Sequence, residues 1–194
     1  YNLWRGFGVE PIKGTPEKFL QFLLRVICSD NKENYDYLLS WMADAVQNLD
    51  PRKKPGIALA LRGDTGCGKT FFNEKFGRLF GQHGQLITRS DDLTNRFNSF
   101  AQDCLFLFAD EIGWKGGGRD TGTLRSLITA PVIGIEHKGI NRITAPNFIH
   151  LSIAGNAEQL VPAIPGERRY FVLDISKRCQ KDTAYFGALD KFMN

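Results

Sequence analysis

Ile57-Ala58-Leu59-Ala60-Leu61-Arg62-Gly63-Asp64-Thr65-Gly66-Cys67-Gly68-Lys69-Thr70-Phe71-Phe72 joins a short apolar run to a glycine-rich turn, and the turn to a segment with Phe72, Phe76 and Leu79 at helical spacing. The turn, Gly63 to Thr70, satisfies G-x-x-x-x-G-K-[ST] and lies between a predicted strand and a predicted helix, where a phosphate-binding loop belongs. Glycines let such a backbone curl with its N–H groups pointing inward at a phosphate. The helix behind it adds a favourable field, and Lys69 supplies a cation for the β- and γ-phosphates. Thr70 is placed to offer its hydroxyl to Mg²⁺. The expected ATP-binding set is therefore Gly63, Asp64, Thr65, Gly66, Cys67, Gly68, Lys69 and Thr70.

Around this loop the pattern is that of a covered sheet. Apolar runs at 57–61, 86–88, 104–109, 149–154 and 170–175 alternate with helical or loop segments. Runs unrelieved by polar alternation suit strands buried on both faces, which predicts a parallel α/β sheet flanked by helices. Before it, residues 15–28 read as a helix capped by Thr15 and begun by Pro16. A second helix carries Tyr35, Leu38, Leu39, Met42, Val46 and Leu49 on one face. The stretch 50–56, with two prolines, a glycine and Arg52-Lys53-Lys54, reads as a solvated linker. The expected division is a small N-terminal helical segment over 1–55 and an ATPase core over 56–194. Lys115-Gly116-Gly117-Gly118-Arg119 is expected as a loop.

Further chemistry is expected at the strand ends. Leu105-Phe106-Leu107-Phe108-Ala109-Asp110-Glu111 is an apolar strand ending in two carboxylates, which suits Asp110 as the Mg²⁺ ligand and Glu111 as the base that activates water. The run 149–154 ends at Gly155-Asn156, so the Asn156 amide is expected on the same sheet edge, orienting water or sensing the γ-phosphate. Arg168-Arg169 stands directly before the last strand, placed for an arginine that stabilises transition-state charge. Val132 to Ile143 reads as a β-hairpin with a basic tip, and His137, Lys138 and Arg142 are its candidates for gripping a nucleic-acid backbone. His83 and His150 have no companions at metal spacing; His150 suits a satisfied core or strand position.

Composition sets bounds on these readings. With 194 residues, 42% apolar side chains and 15 Phe, the chain can bury one full core, and a disordered class is excluded. The net charge of +4 permits a polyanionic partner without requiring one. Four dispersed cysteines suggest neither a zinc site nor a disulfide framework, and a reducing, cytoplasmic compartment is expected. No apolar run approaches the roughly 20 residues of a membrane span. The chain opens on Tyr1 instead of Met, so a piece of a longer protein is the expectation.

In order, the motifs are a P-loop at 63–70, Asp110-Glu111, a Lys138 hairpin, a strand ending in Asn156, and Arg168-Arg169 before a strand. This series, over about residues 57–175, resembles the superfamily 3 helicases of viruses, phages and plasmids. Asn95-Arg96-Phe97-Asn98 and Ile135-Glu136-His137-Lys138-Gly139 look like the phage primase-helicase branch. The resemblance implies a P-loop NTPase fold of the AAA+ type that assembles as a homo-oligomer, commonly a hexameric ring. It further implies ATP hydrolysis with Mg²⁺, movement on single-stranded DNA, and fusion to or association with a primase-polymerase domain. By position it gives Lys69 and Thr70 to motif A, Asp110 and Glu111 to motif B, Lys138 to motif B′, Asn156 to motif C and Arg169 or Arg168 to the arginine finger. The helices before Ile57 would match the collar through which such rings join. Two alternatives remain: a loader or packaging ATPase, and a P-loop kinase. A kinase has no need of the water-polarising Glu111, and a GTPase is disfavoured by the lack of an N-K-x-D segment.

Overall fold

The structure, a computed structural model, describes residues 3–48, 50–89, 92–93, 98–110, 118–139 (118–120 as backbone), 141–156, 160–161 and 166–193. Of the sequence expectations, those resting on Leu49, Asn95, Arg96, Phe97, Glu111, Ile140 and the 115–117 part of the glycine-rich stretch lie outside the described residues.

Five strands form one parallel sheet: β1 (Ala58–Arg62), β2 (Gly84–Ile87), β3 (Phe106–Asp110), β6 (His150–Gly155) and β7 (Tyr170–Asp174). A separate antiparallel pair is built from β4 (Val132–Ile135) and β5 (Ile143–Pro146). The order across the sheet is β2-β3-β6-β1-β7, so β6 lies between β1, which leads into the glycine-rich turn, and the Asp110 strand β3. All carboxyl ends point the same way, and Gly63, Asp110 and Asn156 therefore meet at one edge.

Alternation along the strands divides two cores. Leu59, Leu61, Phe106, Phe108 and Ala154 face the first, which is filled by α1 (Glu17–Phe22), α2 (Lys32–Gln47), α3 (Lys69–Arg78) and the C-terminal helix. Ala58, Ala60, Leu107, Ala109, Leu151 and Ile153 face the second, closed by α4 (Gly118–Thr129) and the β4–β5 hairpin. The phenylalanines concentrate in the first core. Phe76 packs edge-on to both Phe80 and Phe106, at 5.3 and 5.0 Å between centroids.

Three expectations need correction. The helix expected over 15–28 is α-helical only to Phe22, and Leu23–Ile27 is a π-turn, with Cys28 N–H donating five residues back to Leu23 O at 2.8 Å. Leu23, Val26 and Ile27 all lie in the core, at 0, 1 and 0% exposure, the i, i+3, i+4 set that a regular helix would also bury. Thr15 does not cap: Pro16 holds the N-cap position without a side-chain bond. The linker is not wholly solvated, because Lys54 is tucked under α4 and donates to Leu127 O at 2.8 Å and Ile149 O at 3.3 Å. The last turn of a helix carries partial negative charge, which attracts this cation. Of the loop expected over 115–119, Gly118 and Arg119 instead begin α4.

Asn147, fully buried, completes the same junction. Its amide donates to the α4 carbonyls of Ser126 and Leu127 and to Ala130 O (3.3, 3.0 and 2.8 Å) and accepts from Ile149 N–H at 3.1 Å. At the opposite face an N-terminal strap crosses the end of α3, Trp4 stacking on the buried His83 ring at 4.9 Å. His150 is satisfied as expected, bonded to Phe148 O and to the Asp44 carboxylate at 3.1 and 2.7 Å. No helix among the described residues is long and apolar enough to cross a membrane.

Candidate functional site

The loop after β1 reverses through Gly66 and Gly68, at φ +81° and +105°, values that L side chains rarely adopt. Gly68 has a second reason to be glycine, since a Cβ there would stand 3.0 Å from the Phe186 ring. Gly68 is the N-cap of α3 and offers no side chain, which leaves the first N–H groups of the helix to face the turn. Lys69 starts that helix and is only 6% exposed. Its ammonium has three protons and three oxygen acceptors: Gly63 O at 2.6 Å, Asp64 O at 2.8 Å and Asn156 Oδ1 at 2.9 Å.

Asn156 follows β6 directly and bridges the site. While its oxygen accepts from Lys69, its Nδ2 donates to Thr65 Oγ1 at 3.0 Å. The intervening position of β6 makes this possible, since it places the amide between the loop after β1 and the end of β3. Thr70 Oγ1 donates to Asp110 Oδ2 at 3.0 Å. Asp110 Oδ1 is buried and has no hydrogen-bond partner among the described residues. A hydroxyl and a carboxylate with one free oxygen are hard donors of the kind Mg²⁺ takes, so the residues present fit that ion. The resulting cleft, about 260 Å³, is lined by Thr65, Gly66, Gly68, Lys69, Thr70, Phe71, Asp110 and Phe186.

The chain after β7 forms part of the loop's surroundings, which local motif reading missed. Lys177 pairs with the Asp64 carboxylate at 2.7 Å, and the hydrogen bond holds that carboxyl below its ordinary range. Gln180 Nε2 donates to Thr65 O at 3.2 Å, and Lys181 N–H to Gly66 O at 2.8 Å. Helix α5 (Thr183–Met193) then lays Phe186 against Gly68, and its Asp190 pairs with Lys75 of α3. These contacts span more than a hundred residues of sequence and leave no spacing pattern to find.

Lys69, Thr70, Asp110 and Asn156 are thus brought together. Glu111 lies outside the described residues. Arg168 and Arg169 are not in this cluster: they precede β7 at the amino edge of the sheet, where Arg169 O accepts from Ala58 N–H at 2.8 Å. Arg168 is exposed, while Arg169 pairs with Glu167 at 2.8 Å. At the hairpin, Lys138 is exposed beside Gly139 at φ +77°. His137 is turned inward, Nε2 to Gln102 Oε1 at 3.0 Å. The Arg142 guanidinium lies across Gly134, where a Cβ would collide with it. Asn98 fastens the hairpin, donating to Gly134 O and accepting from Glu136 N–H, both at 2.9 Å. Of the three nucleic-acid candidates, Lys138 and Arg142 are exposed and His137 is half-buried.

Several solved structures share this architecture. One described as the apo structure of the NrS-1 C terminal region (305-718) superposes with a TM-score of 0.78 at 19% identity, over 95% of this chain and 45% of that one. A second, the A form apo structure of the same region, gives 0.75 at 19% identity over 95% and 44%. The chain therefore spans under half the length of those structures, and at this identity the likeness establishes the fold. No curated protein matches the chain. Residues 61–169 match the model of a family described only as one of unknown function. That match takes in the end of β1, the glycine-rich turn 63–70, Asp110, the hairpin and Asn156, more than half of the 194 residues, and the chain belongs to the family of unknown function DUF5906.

Proposed function

We propose that this chain is the ATP-hydrolysing motor of a DNA helicase from a phage or mobile-element replication protein, working as a homo-oligomeric ring on single-stranded DNA. The observation that carries the reading is the convergence at one sheet edge of Lys69, Thr70, Asp110 and Asn156, joined by the Lys69–Asn156 and Thr70–Asp110 hydrogen bonds. The N–H groups of 66–70 would cradle the β-phosphate, and Lys69 would exchange its carbonyl acceptors for phosphate oxygens. Thr70 and Asp110 would hold Mg²⁺, which neutralises charge on the β- and γ-oxygens. Asn156 would orient the attacking water, and Glu111 would take its proton. Arg168 or Arg169, at the opposite edge, would serve a neighbouring copy's phosphate. Lys138 would contact the DNA backbone as a point charge, which suits movement independent of sequence.

The strand order supports this reading over nucleotide storage, because β6 delivers an amide beside Lys69 that could orient a water. The direct test is steady-state ATPase with and without single-stranded DNA. Lys69→Ala and Glu111→Gln should each abolish turnover, whereas Lys138→Ala should keep basal turnover and lose DNA stimulation and unwinding. Wild-type protein that neither binds nor hydrolyses ATP would remove the reading. DNA stimulation surviving in Lys138→Ala would leave an ATPase and remove the hairpin's role.

A further inference from the structure

The turn between β7 and α5 carries a feature that the phosphate-loop motif does not account for. Lys181 is a non-glycine residue at φ +59°, the left-handed region. Its backbone N–H donates to Gly66 O at 2.8 Å, in the middle of the phosphate loop. Glycine would make that bond with no steric penalty, so the backbone contact does not explain a lysine there. Its side chain has a definite place: the Cγ lies over Gly66, 2.9 Å from where a Cβ on that glycine would stand. Gly66 and Lys181 thus interlock, one lacking a side chain where the other lays its stem.

The charges around the loop assign that stem a purpose. Asp64 brings a carboxylate to a site for a polyanion, and Lys177 neutralises it at 2.7 Å. The Lys69 ammonium is sequestered among three oxygens. Lys181 is close enough to Asp64 for its charge to be felt there, yet its ammonium makes no hydrogen bond or ion pair with a described residue. It is a cation on an anchored backbone at the rim of the cradle, with an ammonium free to swing.

We propose that Lys181 is a second nucleotide-contacting cation, supplied in cis by the turn after β7, that reaches the phosphate chain past Gly66. This rests on the nucleotide reading above and deepens it: the cradle is built from both ends of the core, and residues 177–181 belong to it together with 63–70. Because the contact is to phosphate, it acts on any nucleoside triphosphate and not on the free nucleoside.

The test measures binding of a non-hydrolysable ATP analogue with Mg²⁺, and of adenosine, to wild-type protein and to Lys181→Gly, Lys181→Arg and Lys69→Ala. Lys181→Gly keeps the backbone bond and relieves the left-handed strain, so its fold persists. It should nevertheless bind the analogue about tenfold more weakly, as loss of one charge-assisted bond to phosphate implies. Lys181→Arg should stay within about threefold of wild type, and adenosine affinity should be unchanged in both. Wild-type affinity in Lys181→Gly, or an equal loss for adenosine, would overturn the proposal. So would failure of Lys181→Arg to rescue. If Lys69→Ala loses binding while Lys181→Gly does not, the nucleotide reading stands and this one falls. If wild type binds no analogue, both fall.

Discussion

Replacing Asn156 with aspartate changes one atom pair and reverses the electrostatics of the site. In the native structure Asn156 Oδ1 accepts from Lys69 at 2.9 Å and Nδ2 donates to Thr65 Oγ1 at 3.0 Å. In Asn156→Asp, a carboxylate of the same shape faces Lys69. A pair of unit charges at about 4 Å is worth roughly 4 kcal/mol at an effective dielectric near 20, of which desolvation leaves about 1–2 kcal/mol net. Phosphate must displace that pair to recruit Lys69. A carboxylate about 6 Å from a phosphate charge adds roughly 3 kcal/mol of repulsion on the same scale. Together these amount to about 4 kcal/mol, or on the order of a thousandfold in affinity, and screening in 0.15 M salt still leaves at least about a hundredfold. Calorimetric titration with a non-hydrolysable ATP analogue gives the affinity, and thermal unfolding without ligand gives the control. The free protein should melt no lower than wild type, because Lys69 has gained a stronger partner. Asn156→Ala, which adds no charge, should bind within about tenfold of wild type and fail in turnover. Affinity in Asn156→Asp within about threefold of wild type would refute the placement of this amide beside the phosphates.

Three further predictions test the structure that holds the site. Asn147→Ala removes the clamp on the end of α4, taking one donor from each of three carbonyls and the acceptor from Ile149 N–H, while Lys54 still reaches Leu127 O and Ala130 N–H still reaches Ser126 O. It should cost about 3 kcal/mol, or about 10 °C in melting temperature, and a shift under about 2 °C would refute the clamp. Gly68→Ala must hold φ +105° with a methyl 3.0 Å from Phe186, so it should lower stability by about 2 kcal/mol and weaken nucleotide binding. Unchanged binding and melting would contradict that close approach. Burial depresses the Lys54 ammonium to about 8, while in the unfolded chain it titrates at the ordinary 10.5. Between these values the unfolded state holds more protons, so stability should rise with pH from about 8 to about 10.5, by on the order of 2 kcal/mol. Urea midpoints at pH 7.5 and 9.5 measure the rise; an equal rise in Lys54→Met would assign it to another group.

The sheet and the turn that follows β1 were legible because each rests on contiguous residues with one physical solution. Gly63 to Thr70 names its own geometry, and the unbroken apolar runs before Gly63, Asp110 and Asn156 require a sheet covered on both sides. Parallel strands then bring all three ends to one edge. Lys54 misled because its neighbours Arg52 and Lys53 are exposed, and nothing in Pro51-Arg52-Lys53-Lys54-Pro55 distinguishes the one that turns inward. The helix expected to run to 28 hides a π-turn because 3.6-residue periodicity and one five-residue bulge fit nearly the same apolar positions. His137 and Arg142 look like Lys138 in sequence, and nothing there shows that His137 pairs with Gln102 or that Arg142 lies over Gly134. Lys177, Gln180, Lys181 and Phe186 were invisible for a different reason: their partners lie more than a hundred residues away.

Arg168 and the phosphate cradle occupy opposite rims of a sheet five residues deep, so a single molecule cannot bring one to the other. In the proposed ring, copies would stack front to back, each lending an arginine to the next. An open row of n such copies always ends in one cradle that no arginine reaches, so n − 1 of its sites are complete. Closing the row completes the last one. Turnover per subunit should therefore climb with assembly size and reach its ceiling only when the two ends of the row find each other.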